Sequence, residues 1–425
     1  MVRLCHLAES GELNGWETGR DRRQFTQQVN GFVSVVVASA PVKEADIAAR
    51  PLAMIQALDK MLLTERRAAR FVDRPFEVNG RRYWLVPRTC LHSGVPRLRD
   101  QAGSLAHWLP NHVLMHGQVD HVEIKVKAAS GGLAQALQVA ASAGSDPALK
   151  FWVGHFDDGQ AVQWEMHSSP SGRMRAVGFS DAAKRRACVL ATLERARLGR
   201  AQVIVLPELS VDLAMRDAIL AWVDGLDPAT PAPMLIVAGS FHETLADGCF
   251  NTAPLIDALA CERLFSHRKL RVYGEIAGDC DADTERAEAI STGRTMEVLV
   301  TAAGAFAVLI CKDFLDADAS VANLLQRAPV DWVLVPSYGD DKTRKGHRLA
   351  ADKAAKLTVG CQAVVANIEP VGIGDTTGAL PGFAYCLRGK VHRDVPAAGG
   401  LVELYLRDKA ALPTESTRSS LIRVK

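Results

Sequence analysis

The sequence predicts an α/β protein in two parts, an α+β domain over residues 1–170 and an α/β domain over residues 171–425. Three observations predict it. Buried-looking apolar runs alternate with helical patterns after residue 173, which is typical of βαβ units and parallel strands. Hairpin patterns dominate before it. Between them, the short segment "HSSPSGR" (167–173) is polar and contains Pro and Gly, which favours a boundary there.

In the first part, Asn79-Gly80 in "PFEVNGRRYWLV" is a strong hairpin signal. A second hairpin is predicted over 151–166, turning at Asp158-Gly159. The remaining elements follow from alternation or helical periodicity: strands over 31–39 and 120–128, and helices over 44–71 and 133–143. This part matches no pattern that defines its role.

The second part opens with a predicted βαβαβ unit. The strand "MRAVGFS" precedes a helix that Ser180 or Asp181 can cap and that ends near Gly199. The later elements are predicted in order: a strand at 201–210, a helix at 211–224, a strand at 233–241, a strand pair at 296–311, a helix near 318–327, a strand "DWVLVPS", a helix near 347–358 and a strand "CQAVVANIE".

Composition excludes several classes of function. The net charge is +2, which gives no electrostatic case for binding nucleic acid or an anionic membrane. The longest apolar run, residues 298–311, is shorter than the roughly 18–20 residues that span a bilayer. The N-terminus lacks the apolar stretch of a signal peptide, so a cytoplasmic location is expected. Nine scattered cysteines without a CxxC pair argue against disulfides and a structural zinc.

Three chemically distinctive features follow predicted strands. Glu208 follows "VIVLP", Cys311 follows "AFAVLI", and Ser337-Tyr338 follow "DWVLVP". Ligands gather at the carboxyl ends of strands in α/β sheets, so these side chains are expected near one another. Each one alone has an ordinary explanation: an acid at a helix start, or a small cysteine in a core.

Together these residues form a set that suits acyl transfer. A Cys311 thiol needs a base, which Glu208 can supply. A tetrahedral oxyanion needs positive charge or N–H donors, which Lys269 and the Lys312 backbone N–H can supply. Glu275 lies six residues after the lysine in "KLRVYGE".

The motifs "VLPELS", "HRKL" and "VLICKDF", in this order, resemble those of the carbon–nitrogen hydrolase, or nitrilase, superfamily. The resemblance covers about 230 residues of the second part. It implies an αββα sandwich in which Glu208 is the general base, Lys269 stabilises the oxyanion and Cys311 is the nucleophile. It also implies that Glu275 positions the substrate. Lys312 stands where an aromatic residue is common in the family.

The function that this resemblance implies is cleavage of a small-molecule amide, rather than a nitrile, through a thioester on Cys311. Lys312, Ser337 and Tyr338 are predicted to bind the oxyanion or substrate. No cofactor is implied, and a homo-oligomer is compatible with the family. The alternative is a catalytically degenerate module that senses a ligand or binds a partner. The N-terminal part motivates this alternative, because it is itself a candidate for binding an unknown partner.

A histidine-rich segment, "HWLPNHVLMHGQVDH", raises the question of a metal. His112 and His116 could share one face of a helix and bind zinc. No nearby acid completes a site with them or with His107 and His121, so a polar or interface segment is the preferred interpretation and no metal is predicted.

Overall fold

The computed structural model describes residues 75–78, 80–87, 112–143, 147–156, 162–166, 173–227, 229–274, 287–315, 319–357, 361–368, 382–386, 391–395 and 399–406. The α-helices in these residues are α1 (Gly131–Ser142), α2 (Ala182–Leu198), α3 (Leu213–Asp224), α4 (Ala319–Arg327) and α5 (Asp341–Leu357).

The strands that precede α2 are β1 (Phe76–Val78), β2 (Arg81–Pro87), β3 (His112–His116), β4 (Gln118–Val119), β5 (Val122–Ala128), β6 (Ala148–Val153), β7 (Val162–Met166) and β8 (Met174–Phe179). The strands from there to Cys311 are β9 (Val203–Val205), β10 (Leu235–Val237), β11 (Phe241–Leu245), β12 (Gly248–Asp257), β13 (Glu262–Arg268), β14 (Thr295–Thr301) and β15 (Gly304–Val308). The last five are β16 (Trp332–Tyr338), β17 (Gln362–Ile368), β18 (Phe383–Cys386), β19 (Val391–Asp394) and β20 (Gly400–Tyr405).

Two large sheets pack face to face. One runs β11-β12-β10-β9-β6-β20 with β13 also paired to β12, and the other runs β19-β18-β17-β16-β15-β14-β5-β4. Apolar side chains of both sheets fill the space between them, including Phe151, Val205, Phe306, Trp332 and Val364. The strands are apolar on both sides because each sheet also buries its outer face.

Helices cover both outer faces. Val189 of α2 and Ile219 of α3 pack on the first sheet. Leu324 of α4 and Ala354 of α5 pack on the second. The order of layers is therefore helix, sheet, sheet, helix, which confirms the predicted αββα sandwich.

The predicted boundary at residues 170/171 is wrong, because the sandwich begins well before it. Strand β5 pairs in parallel with β14, and β6 pairs in parallel with β9 and antiparallel with β20. Strands β7 and β8, on either side of the predicted boundary, pair with each other. A polar segment with Pro and Gly has the composition of a hairpin turn as much as of a linker, and composition alone does not separate the two.

Strand pairing corrects two further predictions. Residues 151–166 are not one hairpin, because β6 lies in a large sheet whereas β7 pairs with β8. Strand β8 also stays outside the predicted βαβαβ unit, and the strand parallel to β9 on that side is β6. The parallel pairing of β9 with β10 agrees with the prediction.

The hairpin at 75–86 is confirmed by the antiparallel pairing of β1 and β2, with Gly80 at φ 72°. The predicted strand at 31–39, the helix at 44–71 and the turn at 158–159 lie outside the described residues. Residues 112–116 form strand β3, not a helix. No cluster of three or more potential metal ligands, and no helix suited to crossing a bilayer, occurs in the described ranges.

Candidate active site

Three of the predicted residues meet near the ends of strands. Glu208 follows β9, Lys269 follows β13 directly, and Cys311 follows β15. Backbone hydrogen bonds tie these segments to neighbouring strands: the Glu208 N–H donates to the Ser337 carbonyl, and the Lys269 N–H donates to the Asn251 carbonyl. All three side chains are buried, so their charges interact in a medium that screens them weakly.

The backbone is strained at one of these positions and directly next to another. Cys311 has φ 41° and Leu209, next to Glu208, has φ 51°. A residue with a side chain pays a steric penalty in this left-handed region, and such residues cluster at functional sites. Cys311 starts a 3-10 turn, Cys311–Phe314, shortly after the end of β15.

The Lys269 ammonium lies between two carboxylates. Its Nζ is 2.8 Å from Glu208 Oε1, and 3.0 and 2.8 Å from the two oxygens of Glu288. The Asn251 amide also donates to Glu208 Oε1, at 2.9 Å. Glu208 and Lys269 are therefore in direct contact, and a second acid, Glu288, joins them.

Glu288 is a site residue that the sequence reasoning missed. It accepts from the Tyr273 N–H at 2.9 Å as well as from Lys269. The sequence around it, "TERAEAIS", contains two acids and no pattern that singles one out. Glu275, the acid that was predicted for this neighbourhood, lies outside the described residues.

His242 donates one more hydrogen bond to Glu288. The Ala176 N–H donates to His242 Nδ1 at 2.9 Å, so Nδ1 carries no proton and the proton of a neutral ring is on Nε2. Nε2 lies 3.2 Å from Glu288 Oε1 and donates to it. Glu288 thus accepts from a lysine, a histidine and a backbone amide, which all favour its ionised form.

The two carboxylates are therefore unequal. Burial would raise the pKa of Glu288, but Lys269 and His242 outweigh burial and hold it well below its usual range. Burial raises the pKa of Glu208, Lys269 opposes the rise, and the charge of Glu288 adds to it. Burial would lower the pKa of Lys269, but both carboxylates outweigh that effect and raise it. Lys269 and Glu288 therefore favour their charged forms, whereas burial and the charge of Glu288 favour the protonated form of Glu208.

The Cys311 sulfur is surrounded by polar atoms of neighbouring strands. Sγ lies 3.9 Å from the Tyr338 carbonyl and 3.7 Å from Ser337 Oγ. Burial raises the pKa of the Cys311 thiol well above its ordinary value, Glu208 raises it further, and Lys269 opposes them. The resting side chain is a neutral thiol beside a basic carboxylate.

Asp313, two residues after the cysteine, connects the cysteine segment to the lysine segment. Its Oδ1 accepts from the Leu270 and Arg271 N–H groups at 2.9 and 3.0 Å. Its Oδ2 accepts from the Ile310 N–H at 3.1 Å and lies 3.0 Å from His267 Nε2. The sequence motif "CKDF" contains this aspartate, but only the fold shows what it holds.

The remaining predicted residues, Lys312, Ser337 and Tyr338, lie in different surroundings. The Lys312 ammonium donates to the Val272 carbonyl at 2.9 Å, while its backbone lies in the turn that starts at Cys311. Ser337 is fully buried and contacts Cys311 and His347. Burial, with the charge of Glu208, raises the pKa of Tyr338 to about 12. Its ring also lies 6.4 Å from that of Trp164 on β7.

The fold and this constellation define an αββα sandwich with a buried glutamate, lysine and cysteine at strand ends. No protein-family model matches the chain, and no curated protein matches it. Solved structures do resemble it. One is the glutamine-dependent NAD+ synthetase from Acinetobacter baumannii in complex with ADP, 15% identical, with a TM-score of 0.43, covering 64% of this chain and 49% of that one. The chain thus spans about half the length of that synthetase.

Two other similar structures are shorter proteins. Saccharomyces cerevisiae Nit3, a member of branch 10 of the nitrilase superfamily, is 18% identical over 62% of this chain and 91% of its own, with a TM-score of 0.40. A double mutant of the amidase from Nesterenkonia sp. AN1, in complex with acrylamide, is 16% identical over 63% and 93%, with a TM-score of 0.41.

Proposed function

We propose that the protein hydrolyses the C–N bond of a small-molecule amide through a thioester on Cys311. The observation that carries this proposal is the pairing of a buried neutral thiol with a carboxylate of raised pKa beside a lysine. A base with these properties can take a proton and return it within one catalytic cycle.

In the first half of the reaction, Glu208 takes the proton of the Cys311 thiol as the sulfur attacks the carbonyl carbon. The oxyanion that forms is stabilised by Lys269 and by the backbone N–H of Lys312. Protonated Glu208 then gives its proton to the nitrogen of the leaving group. Ammonia or an amine departs, and the acyl group remains on the sulfur.

In the second half, Glu208 takes a proton from water, and the resulting hydroxide attacks the thioester. The tetrahedral intermediate collapses, the C–S bond breaks, and the sulfur regains its proton from Glu208. The sum is amide plus water to carboxylic acid plus amine, so no cofactor or other co-reactant is required.

Glu288 gives Lys269 its position and its charge in this mechanism. One N–H of the ammonium faces Glu208, and the others face the two oxygens of Glu288. Rotation of the ammonium can direct one N–H to the oxyanion while one contact to each carboxylate is kept. Glu288, which stays ionised, balances the buried lysine charge whether Glu208 is protonated or not.

A screen of small amides with detection of released ammonia tests the proposal. A substrate found in this way should be turned over by the unaltered chain and by Cys361→Ala, in which another buried cysteine is replaced. Cys311→Ala should abolish turnover, and Glu208→Gln should lower kcat by roughly 10²- to 10⁴-fold, as expected for a general acid–base. Turnover that survives in Cys311→Ala would exclude the mechanism, whereas a screen in which the unaltered chain turns over no amide would favour the degenerate module.

A further inference from the structure

A buried chain of hydrogen bonds runs behind the Cys311 sulfur to a histidine that the proposed mechanism does not use. His347, on α5, is completely buried. Its Nδ1 lies 2.8 Å from the Phe314 carbonyl, its Nε2 lies 3.0 Å from Ser337 Oγ, and that oxygen lies 3.7 Å from Cys311 Sγ.

The chemistry of these partners fixes the direction of each bond. A carbonyl oxygen only accepts, so His347 Nδ1 carries the ring proton and donates to Phe314. In the neutral ring, Nε2 then has a lone pair and accepts. Burial lowers the pKa of His347 to about 4, and Lys269 lowers it further, so the ring is neutral near pH 7. Ser337 has one hydroxyl proton and two neighbours that could accept it, His347 Nε2 at 3.0 Å and Cys311 Sγ at 3.7 Å. The proton is donated to His347 Nε2, because the imidazole nitrogen is nearer and is a better acceptor than the weakly accepting sulfur of a neutral thiol.

The hydroxyl that is committed to His347 presents a lone pair to the sulfur. It can accept from the S–H group, but it has no second proton to give to a thiolate. The Tyr338 carbonyl, which also contacts the sulfur, can likewise only accept a hydrogen bond. Glu208 and Lys269 are the charged groups that shift the pKa of this thiol, and neither belongs to the chain of bonds from Phe314 to Ser337.

We propose that His347 is a positioning residue that holds the Ser337 hydroxyl away from the Cys311 sulfur and thereby keeps the nucleophile protonated until Glu208 accepts its proton. The assignment rests on the proposed function for the role of Glu208. The orientation of the hydroxyl is a separate matter, and it can be measured without a substrate.

Two substitutions of His347 separate its two bonds. Asparagine places its amide nitrogen near the position of Nδ1, so His347→Asn keeps the donor to Phe314 and loses the acceptor for Ser337. Glutamine reaches the position of Nε2, so His347→Gln can still accept from Ser337. In His347→Asn the hydroxyl is released and can donate to the thiolate, which favours ionisation of Cys311.

The readout is the rate at which iodoacetamide alkylates Cys311 between pH 6 and 9, followed by mass spectrometry of the peptide that contains it. Below the pKa of the thiol, the rate at a fixed pH follows the thiolate fraction multiplied by the nucleophilicity of the thiolate, which falls as the pKa falls. A hydrogen bond to a charged group is strong enough to lower the pKa of the thiol by about one unit, so His347→Asn should react about threefold faster. His347→Gln should react like the unaltered chain.

The Ser337→Ala background identifies the cause of any change. The acceleration by His347→Asn should disappear in Ser337→Ala/His347→Asn, because the hydroxyl is absent. An acceleration that persists there would come from easier access to the sulfur, and it would overturn the proposal.

The single variant Ser337→Ala provides a second test of the proposal, which is valid even if His347→Asn does not fold. Because the hydroxyl does not donate to the sulfur in the unaltered chain, its removal should leave the rate of alkylation of Cys311 unchanged within about 1.5-fold, below the roughly threefold effect of a lost hydrogen bond to a thiolate. A reaction about threefold slower would show that Ser337 donates to the thiolate, which contradicts the assignment. Neither result depends on whether an amide substrate is found.

Discussion

Glu288 holds the Lys269 ammonium with both of its carboxylate oxygens, at 3.0 and 2.8 Å, while Glu208 contacts the same ammonium with one. This asymmetry assigns different roles to two acids that have the same chemistry. The acid with more donors stays ionised and compensates the lysine. The acid with fewer donors has the raised pKa and is suited to carry protons.

Glu288→Gln should therefore change the pH dependence of catalysis. The charge of Glu288 raises the pKa of Glu208, so its loss lowers that pKa and makes Glu208 a weaker base. The acidic limb of kcat/KM, which reports the free enzyme, should move to lower pH, and the plateau should fall. Glu262→Gln, at an exposed position on β13, is the control and should leave the profile unchanged. An acidic limb that stays in place or moves upward would contradict the roles assigned to the two acids.

The left-handed backbone at Cys311 predicts an unusual ranking of two inactive variants. Alanine keeps a Cβ at φ 41°, whereas glycine adopts this conformation without the steric penalty. Cys311→Gly should exceed Cys311→Ala in free energy of unfolding by about 1 kcal/mol, the size of the penalty at one residue. Urea denaturation of both variants measures the difference. A less stable glycine variant would show that the turn does not strain residue 311.

Asp313→Asn should be strongly destabilising although it is nearly isosteric. The carboxylate faces donors on both oxygens, and an amide would turn an NH₂ group toward two of them. We expect a loss of roughly 2–4 kcal/mol, since an unsatisfied buried donor costs about 1–3 kcal/mol. Asp247→Asn is the matched control, because Asp247 pairs with Arg268 at an exposed position and its replacement should cost much less stability. Equal losses of stability in the two variants would show that Asp313 does not connect the cysteine segment to the lysine segment.

The stability of the chain should depend on pH through His347. Its pKa is about 4 in the folded state, below the ordinary value of 6.5, because burial disfavours the charged ring. The unfolded chain thus binds the proton more tightly. The stabilisation is complete above about pH 6.5 and is lost as the pH falls to about 4, by roughly 3 kcal/mol. His347→Gln, which does not titrate, should lack this part of the slope in denaturation at several pH values. An unchanged slope would mean that another group causes it.

A fragment of residues 171–425 should fail to fold, although the sequence pattern predicts that it is a domain. It lacks β5, which pairs with β14, and β6, which lies between β9 and β20. Loss of a strand between two others exposes unpaired backbone on both neighbours and the apolar side chains they bury. The fragment should aggregate or show no cooperative unfolding, in contrast to the full chain. A soluble fragment with a sharp transition would restore the predicted boundary.

Local sequence patterns predicted the helices and strands better than they predicted which strands pair with each other. Asp181 caps α2 as expected, and Glu208, Lys269 and Cys311 are brought together at strand ends. Glu288 escaped prediction because its role depends on donors from Lys269, His242 and Tyr273, which are distant in sequence or carry no distinguishing pattern. The position of β6 in the large sheet was not predicted for a similar reason, because the residues of a strand do not by themselves specify which strands pair with it.

The pairing of β6 with β20 has a consequence for how the chain acquires its structure. Phe151 is paired with Val402, so β6 acquires this neighbour only after all the intervening residues have been synthesised. Contacts of this kind give a high contact order and slow folding, because a long loop must close before they form. Until then the open edge of β6 is available to other nascent chains. We therefore expect the yield of native protein to depend on expression rate and on chaperones more than its final stability would suggest.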